Sequence, residues 1–202
     1  MIKIICNFFL IFTLVSYIVE AQTFKELEAI ILAEPDVQSK LATLEKVQHS
    51  FVNASLKQQA SFWHLLALVQ QQNSLFQASI DSATHSISLI KKNSTRQDLL
   101  LARNYILRSN SIYKIDSSTL NYCDDIEKAI KLLTDLRSEP SKLATALGSQ
   151  SRCIYEKTNN IPEALAILDK AIFIAQNNQL KNEEQATIYN ETALIYRRLS
   201  IF

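Results

Sequence analysis

Three histidines, three cysteines and one pair of adjacent aspartates are the residues best able to do chemistry in this 202-residue chain. His49, His64 and His85 lie 15 and 21 residues apart. No two of them have the i, i+4 spacing that puts two metal ligands on one helical face, so they read as surface or boundary histidines. Asp124-Asp125 suggests a cation site, but carboxylates at a helix start are accounted for by the positive end of the helix dipole. The chain has one glycine, Gly148, where average usage gives roughly fourteen. Phosphate-cradling loops, dinucleotide fingerprints and nucleophile elbows all need several glycines at fixed positions. No cofactor and no catalytic role is therefore expected. A net charge of +1 supplies no field to draw the chain to nucleic acid or anionic lipid. Sequons at Asn53, Asn93 and Asn190 are a common coincidence in a chain rich in Asn and Ser.

The elements that hold these residues are expected to be helices. Tight turns of sheet need positive-φ positions, which glycine supplies, and no alternating apolar–polar segment stands between turn signals. Apolar residues instead recur at helical spacing: Leu41, Leu44, Val47 and Phe51; Ile126, Ala129, Ile130 and Leu133; Ala164, Leu168, Ala171 and Ile172. Capping boxes are read at Ser55/Gln58, Ser74/Gln77, Asp124/Glu127, Asn160/Glu163 and Asn182/Gln185. Pro35 and Pro162 are placed in first helical turns, where a missing N–H costs nothing. Short polar links between helices make antiparallel neighbours. The pattern predicts about nine helices.

Residues 1–21 are set apart from the fold. Lys3 opens them, an apolar run from Ile4 to Val19 follows, and Val19-Glu20-Ala21 offers small or modest residues for cleavage. They read as a signal peptide, which makes the protein exported and periplasmic, with no membrane span left after cleavage. The alternative is an uncleaved segment tethering it to the inner membrane, although this run of sixteen residues, broken by Asn7, Thr13 and Ser16, falls short of the roughly 20 a spanning helix needs.

A period underlies the remainder. Tyr113, Tyr155 and Tyr196 are 42 and 41 residues apart, and Gln70 lies 43 before Tyr113. Tyr189-x2-Thr192-Ala193-x2-Tyr196 resembles the first-helix pattern of tetratricopeptide (TPR) repeats. Trp63-x2-Leu66-Ala67 resembles the opening of that pattern, and Ala164-x3-Leu168-x2-Ala171 is similar to the second-helix pattern. The unit is longer than the usual 34 residues, and Ala67, Asn110, Arg152 and Ala193 stand where the family prefers glycine. The resemblance implies an all-α fold, a right-handed superhelical array of antiparallel hairpins. It has a degenerate hairpin at 22–53, repeats at about 55–93, 95–137 and 138–180, and an incomplete repeat at 182–202. A non-repeat helical bundle is the alternative.

If that register holds, Asn104, Lys114, Ser149, Glu156, Asn190 and Arg197 line the concave groove where such arrays dock a protein or peptide partner. Cleavage removes Cys6 and leaves Cys123 and Cys153, a pair that export permits to form a disulfide. The register sets Cys123 at the start of a second helix and Cys153 late in the next first helix, facing the concave side, so two buried thiols remain the alternative. The last helix has no second helix after it, which leaves its stripe open to self-association. Exported arrays of this Asn/Gln-rich style also resemble the periplasmic sensor regions of GGDEF (diguanylate cyclase) signalling proteins. In that reading the chain is an input region whose membrane and output domains are absent from it.

Overall fold

A chain with almost no glycine but steady helical periodicity is suited to fold as helices. The computed structural model describes residues 24–119, 121–136 and 139–199, and among these there are nine α-helices and no strand. The expected signal peptide, residues 1–21, lies outside the described residues. Two short helices come first, α1 (Phe24–Ala33) and α2 (Val37–Val47), followed by a 3-10 turn at Gln48–Phe51. Then come α3 (Leu56–Gln72), α4 (Phe76–Lys92), α5 (Asp98–Ile115), α6 (Tyr122–Leu136), α7 (Pro140–Thr158), α8 (Ile161–Asn177) and α9 (Asn182–Leu199). From α2 to α8 each helix packs chiefly on its neighbours in the chain, α3 also touches α5, and α9 packs on α7 at least as much as on α8. Helices α1 and α2 both pack on α3 rather than chiefly on each other, unlike the hairpin expected at 22–53. Among the described residues no helix is long and apolar enough to cross a membrane.

The helices α3, α5, α7 and α9 open at Leu56, Asp98, Pro140 and Asn182, an unvarying interval of 42 residues. The helices between them start less regularly, because their links differ. Three residues join α3 to α4, two join α7 to α8, and a longer stretch with a 3-10 turn at Ser117–Thr119 joins α5 to α6. The constant interval corrects the tyrosine ladder read from sequence. The true equivalents are Gln71, Tyr113, Tyr155 and Arg197. Gln70 and Tyr196 each stand one residue, about 100° of helix, away from that row.

Small residues at fixed points of the repeat explain the packing. Ala60, Ala102 and Ala144 are fully buried at equivalent places in α3, α5 and α7. So little side chain lets the next helix approach until its serines reach main-chain carbonyls. Ser86 Oγ donates to Ala60 O at 2.7 Å and Ser79 Oγ to Ala67 O at 2.8 Å. Helices α1 and α2 cover α3 with a larger core, in which Phe51 stacks on Phe62 with ring centroids 4.6 Å apart.

Some caps form as expected. Ser55 and Gln58 make a reciprocal capping box, and Asn160 Oδ1 accepts from the Glu163 amide at 3.2 Å. Others do not. Ser74 lies in the left-handed region at φ 60°, and α4 starts after it, at Phe76. Asp124 and Asn182 fall inside their helices rather than before them. Pro35 precedes α2, which is capped by Asp36. Among the described residues three turns use positive φ without glycine, at Ser74, Asn159 and Gln179, while Gly148 sits inside α7 at negative φ. Scarcity of glycine thus reflects the helices and does not mean that left-handed turns are missing.

Candidate functional site

A cavity of about 610 Å³ opens along one side of the helices. Gln71, Asn110, Tyr113, Lys114, Ser149, Arg152, Asn190 and Leu194 contribute to its wall, with Ser74 and Phe76 at one end and Thr145 between. Except for Phe76 and Ser74, every one of these residues lies on α3, α5, α7 or α9. Two rows of the 42-residue interval supply five of them: Gln71 and Tyr113 in one, Asn110, Arg152 and Leu194 in the other. The wall is therefore the same strip of helix surface presented by successive repeats.

Of the six residues expected there, Lys114, Ser149 and Asn190 line the cavity. Asn104 does not. It belongs to the buried row of Phe62, Ala146 and Ile188, and its amide is used inside the core. Nδ2 donates to Ser86 Oγ and to Leu100 O, each at 2.9 Å. Its Oδ1 lies 3.1 Å from His64 Nδ1. With both amide hydrogens spent, Oδ1 can only accept, which fixes the His64 proton on Nδ1. His64 is thus a half-buried boundary residue whose ring is held by Asn104. Its withdrawal from water lowers its pKa from 6.5 to about 4, with Arg103 and Lys142 adding to the effect and the Asn104 bond opposing it. Glu156 lies off the cavity wall, and its carboxylate accepts a hydrogen bond from the Tyr122 hydroxyl. Burial, then that bond, raises the Tyr122 pKa above its ordinary value. Arg197 occupies the row of Gln71 and Tyr113 but is exposed and outside the cavity lining.

Charge on the wall follows from these displacements. Lys114 and Arg152 are its two cations, and no carboxylate is among the lining residues. The Arg152 guanidinium lies over the Tyr113 ring at 3.8 Å from the centroid and 5.6 Å from that of Tyr122, a stacked arrangement that fixes a flat cation. Arg152, Asn110, Tyr113 and Gln71 were legible in principle, since applying the interval of 42 without a slip places all four on one strip.

The wall is braced from behind by covalent structure. Cys123, in the first turn of α6, and Cys153, in α7, form a disulfide with Cα atoms 5.7 Å apart. Both are buried against Tyr122, Tyr113 and Ile112. Cys153 does not face the cavity. Its row, Val69, Ser111, Cys153 and Ile195, points into the seam between repeats, which is where the start of α6 arrives. Asp125, next to the exposed Asp124, is no cation site either. It is 3% exposed and held by Arg108 through Nε at 2.6 Å and Nη2 at 2.9 Å, with Lys128 3.6 Å away. Among the described residues no group of three or more His, Cys, Asp and Glu side chains could hold a metal ion.

No family model, curated protein or solved structure matches the chain.

Proposed function

We propose that this chain is a non-catalytic interaction module, a TPR-like solenoid that docks an extended peptide segment of acidic character in the groove of its first helices. The cavity walled by successive repeats carries the reading. A concave strip built at a constant interval is the usual binding surface of a helical repeat array. Unbranched amides such as Asn110 and Asn190 can each donate to and accept from a peptide main chain. Lys114, exposed on a wall with no carboxylate among its lining residues, favours a partner that brings negative charge. The disulfide supports an oxidising compartment, in line with an exported, periplasmic protein.

The test is fluorescence anisotropy with labelled ten-residue peptides, acidic, basic and neutral, against the purified protein. The acidic set should bind in the micromolar range, weaken with salt, and lose at least tenfold in affinity in Lys114→Glu. Equal binding of the three sets, or an unchanged affinity in Lys114→Glu, refutes an acidic ligand; no binding of any set refutes the groove as a peptide site.

A further inference from the structure

The constant interval shows where one seam of the array departs from another. Between α3 and α5 the seam is apolar: Leu68 of α3 and the buried Leu107 of α5 share a cluster with Ala67 and Ala83. Between α5 and α7 the same places, 42 residues on, hold Asn110 and Ser149. Ser149 is 4% exposed, Asn110 is half-buried, and both line the cavity. Among the described residues neither side chain has a hydrogen-bond partner. Polar groups withdrawn from water without partners cost stability, so folding does not account for this pair in the place of two leucines. Serine where leucine stands in α3 and α5 also leaves a hollow of side-chain size. It lies one helical turn before the point where Arg152 of α7 stacks on Tyr113 of α5.

We propose that this seam is a subsite for a carboxamide side chain, glutamine or asparagine, carried by the peptide that docks in the groove; the inference rests on the groove being a peptide site. The hydrogen-bonding capacity of the pair decides the chemistry. Asn110 offers a carbonyl acceptor and N–H donors, and the Ser149 hydroxyl both donates and accepts. A carboxamide brings an acceptor and two donors, so it can pair with Asn110 in both directions and still reach Ser149. A carboxylate only accepts, and leaves Asn110 Oδ1 without a donor. An ammonium only donates, and would stand beside Lys114 and Arg152, the two cations of the wall. The acidic character of the peptide belongs instead to residues that meet Lys114, exposed in the last turn of α5. A main-chain amide carries the same groups, but the hollow is the space of a lost side chain and takes a side chain in return. A site built to hydrogen-bond one group rejects a ligand that lacks it, because its own polar atoms are then left unpaired.

Fluorescence anisotropy tests this with labelled acidic ten-residue peptides that differ at one central residue only, Gln, Asn, Glu or Met. Met copies the length of Gln without its hydrogen-bonding groups. The better of the Gln and Asn peptides should bind at least tenfold more tightly than the Met peptide, and more tightly than the Glu peptide. Ser149→Leu, which restores the residue type of Leu65 and Leu107, should bring that peptide to the level of the Met peptide, while the affinity for the Met peptide itself stays within twofold. Ser149→Ala should narrow the preference without filling the hollow. Urea midpoints of both variants should be no lower than that of the unaltered chain, which separates a lost subsite from lost folding. Equal binding of the Gln, Asn and Met peptides, or tighter binding of the Glu peptide, overturns the subsite and leaves the groove standing as a peptide site. A preference that survives Ser149→Leu overturns it too, as does a variant that weakens all four peptides alike, the mark of a main-chain contact. Binding of none of the four removes the subsite and the peptide groove together.

Discussion

Reducing the Cys123–Cys153 disulfide should cost the fold about 3–4 kcal/mol. The bond closes a loop of 30 residues, and loop-closure entropy for that length gives roughly this value at 25 °C. In a chain of this size a urea m-value of roughly 2 kcal/mol/M turns it into a fall in the midpoint of about 2 M. The loss should be local. The bond spans the junction of α6 with α7, whereas α1 to α3 have a separate core around Phe51 and Phe62. Repeat arrays respond unit by unit to such changes. Hydrogen exchange should therefore show amides of α6 and α7 losing protection on reduction while those of α3 keep theirs. The cavity provides a further readout, because Tyr113 carries Arg152 on one side and packs beside the disulfide on the other. Alkylation of the denatured, unreduced protein followed by mass analysis should label neither Cys123 nor Cys153. Two labelled thiols, or identical unfolding curves with and without reductant, would sink this account.

Three other perturbations test the core and its turns. His64 titrates near 4 in the folded chain against 6.5 when free, so the unfolded state takes up a proton first as pH falls. Stability should be complete above about pH 6.5 and decline toward pH 4 by about 3 kcal/mol in all. Urea midpoints measured across that range should show the decline, and His64→Gln should flatten it relative to the unaltered chain. Ala102→Leu, at a buried helix crossing, should destabilise by about 1–3 kcal/mol through overpacking, measurable as a lower thermal midpoint. Ser74→Gly and Gln179→Gly, which relieve positive φ at two helix ends, should each stabilise by about 0.5–1 kcal/mol, detected by the same melts.

Helix content was legible because composition and periodicity agree along the whole chain. The spacing of the repeats was nearly legible. Tyrosine is conspicuous, and following Tyr113 and Tyr155 to the next tyrosine lands on Tyr196 rather than Arg197. A slip of one residue in a helix turns the assignment by about 100°. The same kind of slip explains why Asn104 was assigned to the groove although its row is Phe62, Ala146 and Ile188. Alanine marks the period better than tyrosine does, because Ala60, Ala102 and Ala144 are fully buried where helices come close, while ring positions on the rim tolerate Gln, Tyr or Arg. The pairing of His64 with Asn104 could not be read from the sequence. They are 40 residues apart on different helices, and only the contact of α3 with α5 brings them together.

Packing that runs almost wholly between chain neighbours also bears on how the protein is made. A fold dominated by local contacts closes few long loops before it gains stability, and such folds form quickly. Helices α1 and α2 with α3 already enclose their own core, so this part can condense while later residues are still being synthesised. Each further 42-residue block then needs only the block before it as a template. Cys123 finds Cys153 at the second of these junctions, once α7 has been laid down, so oxidation would lock an order of assembly that the growing chain has already set.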